Sequence, residues 1–494
     1  MTVTFQNIPD TIRTQANLVE FDPTQASSGL ALKPLKALLI GGRRTAGTGA
    51  QLTPTRVTSA NDVAALTGVG STLHGMAQRY FESGGAQIET WICSINDDGG
   101  GAACQKTITL SGAQTAAGSL YVYIAGRRLR VAVGADTGTD TLTVLATRLR
   151  DAINALTELP VTAAAALGVV TLTAKNAGET GSDIDIRLNY GEGEVTAPGL
   201  TVAIAQTVAG AGNPDISGVW SAIGEVQYDV IVCAYADAAN YTELDTELER
   251  RWGPTIQIDG VAIIGKAGAF GALTAFGEAR NSKHVSLVAV RSPLNPPWEW
   301  AGSAAGVVAL AAQGDPAANL QQREMTGLLA PAVADRWTFE ERNQLLFAGC
   351  STWVVNANGR VSTDQMITVY QRNDLGAEDP AFLMLAHRLA LSYLRFAWRA
   401  RLATKYPSAK LTGDTGATVG SGQQLVSPDT LKAEAVAWAE SLAQAGIIQD
   451  VAGFRSALIA EINAQNGNRV DIVLSPKLMG YLVVTATRIA ARIS

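Results

Sequence analysis

The chain has 494 residues, of which 47% are hydrophobic and only 17% are charged, and its formal net charge is −6. A chain of this length forms roughly two to four domains, and the acidic balance argues against a general affinity for nucleic acid or anionic membranes. The charged fraction lies well below the usual value of about a quarter, so we expect something else to cover much of the surface.

The four cysteines are scattered, without the close spacing of a metal site or a disulfide framework. We expect them to be small buried side chains in a reducing compartment. The first residues lack the basic and apolar regions of a signal peptide, and no apolar run reaches the ~18 residues of a membrane-spanning helix. The sequence therefore predicts a soluble protein, made in the cytoplasm, that does not insert into membranes.

The N-terminal segment, residues 1–20, begins with an alternation typical of a β-strand, with Val3 and Phe5 on one face. The residues that follow are polar, and nothing nearby in the sequence would bury this strand. We therefore predict an N-terminal arm that pairs with a sheet elsewhere.

Residues 21–104 have the pattern of a βαβ unit. An apolar strand at 37–40 precedes a helix that begins near Asp62. Apolar residues recur at helical spacing from Leu73 to Phe81, and a strand follows at 88–95. This order predicts an α/β layer.

Residues 105–209 lie between two glycine-rich linkers, at 97–101 and 209–214, and differ in character from their surroundings. Short β-type runs dominate, and one helical pattern interrupts them. The predicted strands are 107–110, 120–124, 129–133, 169–174 and 184–189, and the predicted helix is 142–156. We interpret this stretch as a mostly-β domain inserted into the α/β layer.

The α/β pattern resumes in residues 210–365, where predicted strands alternate with predicted helices. The strands are 229–234, 261–264 and 284–290, and the helices are 241–252, 270–281 and 298–313. Since the same alternation precedes the insertion, we expect strands from both sides of it to share one sheet. Asn358 and Gly359 then predict the turn of a β-hairpin.

Residues 366–480 predict a C-terminal α+β domain. Its long helix, 380–405, has an apolar stripe bordered by basic residues. These are Arg388, Arg395 and Arg399 on one side and Arg401 and Lys405 on the other. Such a border is usually a solvated face, but in an acidic chain it also fits an acidic partner. A second helix is predicted to begin at Ser427 and Pro428, and a shorter one to cover 454–462.

The chain ends in two predicted strands, 469–474 and 482–493, the second of which lies in a terminal arm, residues 481–494. This strand is apolar on both faces. Two interpretations remain open, because it could be an inner strand of its own domain or could complete a sheet in a neighbouring subunit. The residues that we assign to intersubunit pairing are Leu482, Val484, Ala486 and Ile489.

Catalytic motifs are weak throughout. The glycine-rich residues 40–49 lack the lysine and hydroxyl of a phosphate-binding loop. The three histidines lie far apart without zinc-binding spacing, and Ser303 is not in a GxSxG motif. We expect no catalytic site, no cofactor and no metal.

Five segments carry a resemblance to a known family. They are residues 19–43, 80–93, 366–380, 391–411 and 468–474, which include VEFDPTQASSGLALKPLKALLIGGR, YFESGGAQIETWIC and MITVYQRNDLGAEDP. In this order they resemble the contractile-tail sheath subunit of Mu-like bacteriophages, over essentially the whole chain.

The resemblance implies an α/β sheath core with the inserted domain, and a C-terminal α+β domain that neighbours' terminal strands complete. It implies a structural subunit, not an enzyme, that polymerises helically around a tail tube. Such a sheath contracts without nucleotide hydrolysis and drives the tube through the host envelope. Its partners would be its own copies, the tube protein, and baseplate and tail terminator proteins, in a virion tail assembled in the host cytoplasm. The basic helix with Arg388, Arg395, Arg399, Arg401 and Lys405 would face an acidic tube.

Two other classes remain as alternatives. Another self-assembling structural protein, such as an adhesin or a surface-layer subunit, would share the low charge and the β insertion. An α/β enzyme would need titratable residues clustered at the carboxyl ends of its strands, and the sequence offers no candidate for such a cluster.

Overall fold

A computed structural model describes Thr11 and residues 30–135, 140–413 and 424–490. These residues form two compact units. The larger comprises residues 34–393, and the smaller comprises residues 30–33 and the described residues from 394 onward. The boundary lies inside a long helix at Leu394, whereas the sequence-based boundary lies at residue 366.

The larger unit holds most of the strands and helices. In chain order they are β1 (Lys36–Gly42), β2 (Thr55–Val57), α1 (Ala60–Thr67), α2 (Thr72–Glu82), β3 (Glu89–Ile95), β4 (Gln105–Ser111), β5 (Gly118–Ile124), β6 (Arg127–Val133), α3 (Leu142–Ala155), β7 (Val161–Ala166), β8 (Val169–Ala174), β9 (Ile186–Leu188), β10 (Thr201–Val208), α4 (Ser217–Ile223), β11 (Val230–Cys233), α5 (Ala238–Trp252), β12 (Val261–Ala267), α6 (Phe270–Glu278), β13 (Val285–Val290), α7 (Pro297–Gly314), α8 (Phe339–Phe347), β14 (Cys350–Val355) and β15 (Val361–Gln365). Helix α9 (Leu385–Lys405) begins in this unit and ends in the smaller one.

The smaller unit is built from short strands and two further helices. They are β16 (Lys410–Leu411), β17 (Leu425–Val426), α10 (Pro428–Gln444), β18 (Ile448–Gln449), α11 (Val451–Ala457), β19 (Ile459–Ile462), β20 (Val470–Val473) and β21 (Lys477–Leu478).

An eight-stranded sheet forms the centre of the larger unit, in the order β15-β14-β13-β12-β11-β1-β3-β2. The six strands from β14 to β3 are parallel, and β15 and β2 are antiparallel edges. Ala37 pairs with Val230 and Ile40 with Cys233, which confirms that strands from both sides of the insertion share one sheet. The hairpin turn at Gly359, with a φ of 76°, is confirmed as well.

The central strands are continuous apolar runs, and residues such as Leu38, Leu39 and Ile40 are fully buried. Because successive strand residues point to opposite faces, helices must cover both faces of the sheet. Helix α7 packs against α2, β11 and β12. A Cβ atom at Gly302 would lie only 2.3 Å from the carbonyl oxygen of Met76, so this close approach of α7 to α2 requires glycine.

The inserted residues form two sheets, of order β10-β4-β8-β7 and β6-β5-β9, and α3 packs against β6, β7 and β8. Sequence reasoning did not predict β7 and β10. Alanine, which is depleted in strands, makes up most of β7, whereas β10 is rich in β-branched residues. Pairing to β8 and β4 places both runs in the sheet.

A buried carboxylate, Glu299 on α7, joins the insertion to the core. Its side chain is 2% exposed and pairs with Arg79 from α2, at 3.1 Å, and with Arg127 from β6. Asn295 donates a hydrogen bond to it at 2.8 Å, and Arg127 also donates to Gln78 at 2.8 Å. Two cations and one amide therefore satisfy a charge that would be costly to bury alone.

The residues singled out as chemical candidates are structural. All four cysteines are buried free thiols, as expected, and burial raises the pKa of Cys93 to about 11. His74 is buried and accepts a hydrogen bond from the Gly70 amide at 3.1 Å. Burial, with the nearby Arg127 charge, lowers the pKa of His74 to about 4. Ser303 is buried, with its Oγ 2.7 Å from that of Ser83.

In the smaller unit, Ser427 caps α10 as predicted. The short helix predicted at 454–462 is wrong in its second half. Helix α11 ends at Ala457, and Ile459–Ile462 is strand β19, paired antiparallel with β20. Its buried Ala460 alternates with exposed Glu461, so the strand period of two competes with the helical period in this short stretch.

Candidate functional site

The parallel strands β3-β1-β11-β12-β13 have the doubly wound order in which ligands bind where the strand order reverses, here between the carboxyl ends of β1 and β11. Protein atoms fill this crevice. A Cβ atom at Gly42 would lie 3.0 Å from the Tyr235 hydroxyl and 3.1 Å from Nδ2 of Asn176. Tyr235 and Asn176 are both buried. The place where an α/β enzyme would hold its ligand is therefore a packed interface.

Asn176, which belongs to the insertion, holds this interface together. Its Nδ2 donates to the Arg43 carbonyl at 3.0 Å and to Asp97 at 2.8 Å, and its Oδ1 accepts from the Thr72 amide at 3.0 Å. All of these partners lie outside the insertion. The inserted sheets thus occupy the crevice as a structural element.

The glycine-rich residues 40–49 do not form an anion cradle. The Gly47 amide donates to the Arg44 carbonyl at 3.0 Å, and the Gly49 amide donates to the Leu66 carbonyl at 2.9 Å. Amide donors that are already used within the fold are not available to a phosphate. In the part of the chain that the structure describes, no group of three His, Cys, Asp or Glu side chains is placed to hold a metal ion.

Arg388 does not lie on the surface of α9, which corrects its assignment to a tube-facing border. Its side chain is fully buried and its guanidinium lies 3.6 Å from the ring centroid of Trp252. It donates to Ser392 Oγ at 2.7 Å and to His284 Nδ1 at 3.1 Å. Burial and the Arg388 charge lower the pKa of His284, whose other ring nitrogen donates to Glu249 at 2.8 Å.

The opposite border of α9, Arg401 and Lys405, is engaged within the smaller unit. Both pair with Glu434 of α10, Lys405 at 2.8 Å, and the Arg401 side chain is only 10% exposed. Burial raises the pKa of Glu434, but the hydrogen bonds from Lys405 and Arg401 outweigh burial and hold this pKa below its usual value. These two cations therefore stabilise the packing of α9 on α10, together with the contact of Trp398 and Trp438, whose ring centroids are 5.2 Å apart.

The two remaining basic residues of α9 differ in exposure. Arg399 is exposed and Arg395 is half-buried. The amphipathic pattern does not distinguish Arg388 from them, because Arg395 and Arg399 lie seven and eleven residues further along the same face of the helix. No signal in the sequence pointed to Glu434, since its partners lie on another helix.

The C-terminal segment, residues 482–490, forms no strand in the described structure. Leu482, Val484 and Ile489 are 75%, 78% and 86% exposed, and Ala486 is exposed too. Among the described residues, the last strand, β21, pairs with β18, and β20 pairs with β19. The interpretation of 482–490 as an inner strand of its own domain is therefore wrong.

The other predicted pairing residues, Val3 and Phe5, lie outside the described residues.

A further apolar surface is visible at the two-stranded sheet β19-β20, where Ile459 and Val473 are 52% and 51% exposed. Each isolated pair of strands is only marginally stable in water. Such a pair gains stability when further strands join it.

Comparison with known proteins gives these surfaces a context. Residues 209–369 match the family model described as the phage tail sheath protein central domain. The chain is 34% identical over 486 residues to the Mu-like prophage FluMu tail sheath protein of Haemophilus influenzae, which covers 98% of this chain and 99% of that protein. The chain belongs to the phage tail sheath family.

Solved sheath structures are similar as well. A sheath complex of an extracellular contractile injection system in the contracted state has a TM-score of 0.50 at 9% identity, over 97% of this chain and 98% of that chain. The sheath tail protein of Listeria innocua has a TM-score of 0.49 at 12% identity, over 92% and 94%. The mixed α/β class predicted for this sheath protein is confirmed.

Membership of the tail sheath family makes this chain a structural component of a contractile tail and not an enzyme. The adhesin and surface-layer alternatives are not favoured. Within the described residues of this sheath protein, no helix is both long enough and apolar enough to span a membrane.

Proposed function

We propose that this chain polymerises helically around a tail tube and contracts to drive that tube through a host envelope. The sheath is assembled in the host cytoplasm and forms part of the virion tail, where it contacts the tube protein, the baseplate and the tail terminator. The observation that carries the proposal is the exposed apolar segment 482–490 in a chain 34% identical to a tail sheath protein.

The segment 482–490 pairs with a sheet of a neighbouring copy. Leu482, Val484 and Ile489 are the apolar residues that such pairing would bury, and only one charge, Arg488, interrupts the stretch. Main-chain hydrogen bonds supply most of the strength of an added strand and tolerate varied side chains. Val3 and Phe5 of the N-terminal arm act in the same way.

Each of the proposed segments has its own role in the sheath. Residues 1–20 and 481–494 are arms, 21–104 and 210–365 form the core, 105–209 is the inserted domain, and 366–480 is the C-terminal domain. Contraction requires no nucleotide, because the extended lattice stores free energy and subunits move as rigid bodies while the arms stay paired. The filled crevice between β1 and β11 supports this proposal.

Electron microscopy of the purified full-length protein, at rising concentration and in nucleotide-free buffer, tests the proposal. We expect hollow tubes or stacked rings above a critical concentration. Persistent monomers at every concentration, with the tube protein and the baseplate added, would contradict it.

Tube contact involves the exposed basic residue of α9, Arg399, with Arg395 beside it. We expect Arg399→Glu, and more strongly the double change Arg395→Glu and Arg399→Glu, to reduce co-sedimentation of an acidic tube several-fold, because like charges then face each other. The difference in tube recovery between these variants and the unmodified chain should become smaller in high salt, because salt screens the charges.

Sheath self-assembly should continue in these variants, since the change lies outside the arms. Arg56→Glu, which reverses an exposed charge in the larger unit, is the matched control and should leave tube binding unchanged. Equal tube recovery by all variants would remove α9 from the tube contact.

A further inference from the structure

Helix α8 presents two phenylalanines to solvent. Phe339 and Phe347 are 73% and 72% exposed, and eight residues of helix separate them by about 12 Å. Asn343 and Glu340, both exposed, lie on the same side of the helix as these rings. A large exposed aromatic pair on a soluble fold marks an interaction surface more often than chance.

A groove of about 510 Å³ lies elsewhere on the same unit, between α1 and the insertion. Small apolar side chains line the side of the groove that α1 and its flanking loops form, among them Ala46, Ala65 and Val69, all of which are exposed.

The groove also carries two cations, Arg44 and Lys175. Arg44 donates to the Val69 carbonyl at 2.8 Å, and Lys175 donates to the Thr157 carbonyl at 2.6 Å. Each retains further N–H donors, because a guanidinium has five and an ammonium three. Burial and the charge of Arg44 lower the pKa of Lys175 to about 8, as expected where positive charge is crowded. An incoming carboxylate would relieve this crowding.

We propose that α8 of one copy inserts Phe339 and Phe347 into this groove of a second copy, with Glu340 facing Arg44 and Lys175. Apolar rings meet apolar lining residues, and an acidic residue meets two basic ones, so polarity and charge are both complementary. The proposal rests on the self-assembly proposed above and identifies a side contact distinct from the arms.

The positions of the two surfaces require two copies. Helix α8 packs against β14, next to one edge of the eight-stranded sheet, and α1 packs against β2, the opposite edge. The two surfaces cannot meet within one chain. A contact between two different surfaces of identical copies is heterologous, and it propagates into rings or helical filaments.

The contact is small. The exposed face of α8 is about 13 Å long and about 10 Å wide, an area of about 130 Å². This area is far below the ~800 Å² per partner of a stable complex. It therefore forms within a lattice that other contacts hold together, and such a contact can be made or broken when the lattice changes state.

Disulfide crosslinking tests the contact directly. A full-length double variant, Ala65→Cys with Asn343→Cys, keeps both rings, because Asn343 lies between them on α8. The variant is assembled and mildly oxidised, and then separated without reductant. The four native cysteines are buried and do not compete. We expect a ladder of covalent multimers from the double variant and none from either single variant.

The matched control pairs Ala65→Cys with Leu375→Cys, because Leu375 is 93% exposed but lies outside α8. This control should give no ladder. Tubes without a ladder from the Ala65→Cys, Asn343→Cys chain overturn the side contact and leave the proposed sheath function intact. An absence of tubes from the unmodified chain, with the tube protein and the baseplate added, overturns the sheath assembly itself, and the side contact with it.

Discussion

A chain that ends at Gly480 is expected to stay monomeric at concentrations where the full-length chain forms tubes. The truncation removes Leu482, Val484 and Ile489, all highly exposed in the single chain, together with their backbone donors and acceptors. If about four main-chain hydrogen bonds contribute roughly 1 kcal/mol each and apolar burial adds about as much in total, the loss is on the order of 8 kcal/mol for each pairing between subunits. The critical concentration should then rise more than about a thousandfold.

The truncated chain should still be folded, since its last strand, Lys477–Leu478, remains paired with Ile448–Gln449. An unchanged thermal transition verifies this point. A sharper pair of variants separates main-chain pairing from side-chain burial. Val484→Pro removes a backbone donor and should impair tube formation, whereas Val484→Thr keeps the backbone and the β-branched shape and should not. Tubes formed equally well by the truncated chain would show that residues 481–494 do not join the subunits.

Replacement of Glu299 by alanine is expected to destabilise the larger unit by about 3 kcal/mol, because it leaves the largely buried Arg127 without its carboxylate partner and Arg79 with Glu82 alone. Arg79 and Arg127 both pair with this carboxylate, whose side chain is 2% exposed. Urea unfolding followed by fluorescence measures the loss as a lower midpoint. Since Arg127 belongs to the insertion, amides of β5 and β6 should exchange with deuterium faster than those of the central strand β12.

Glu278→Ala is the matched control, as Glu278 is an exposed glutamate on helix α6, and we expect its free energy of unfolding to change by less than about 0.5 kcal/mol. If Glu299→Ala unfolds at the same urea concentration as the unmodified chain, the ion cluster does not hold the insertion on the core. If its midpoint falls but exchange in the insertion is unchanged, the cluster stabilises only the core.

The α/β core could be predicted from the sequence because its strands are buried on both faces. Continuous apolar runs such as those around Leu39 and Ile263 separate cleanly from amphipathic helices. The turn preference of Asn358 and Gly359 predicted the hairpin, and the capping preference of Ser427 predicted the start of α10. The family was also recognisable, since ordered segments along the whole chain carry it.

The environment of the candidate site residues was harder to predict from the sequence. A basic residue at a helix border has the same letters whether it is solvated, paired or buried. Arg388 is stacked on Trp252 and bonded to His284, both distant in sequence, and Arg401 and Lys405 meet Glu434 on another helix. Only Arg399 keeps the exposure that the pattern suggested for all five.

Local sequence alone determined most of the strands, helices and caps, because burial period, propensity and capping act within a few residues of each position. Tertiary structure decided which charges are buried, that Ile459–Ile462 is a strand, that β7 and β10 join the insertion, and that 482–490 stays unpaired within its own chain. Each of these outcomes depends on a partner that lies far away in the sequence or on another copy, and neither propensity nor periodicity carries that information.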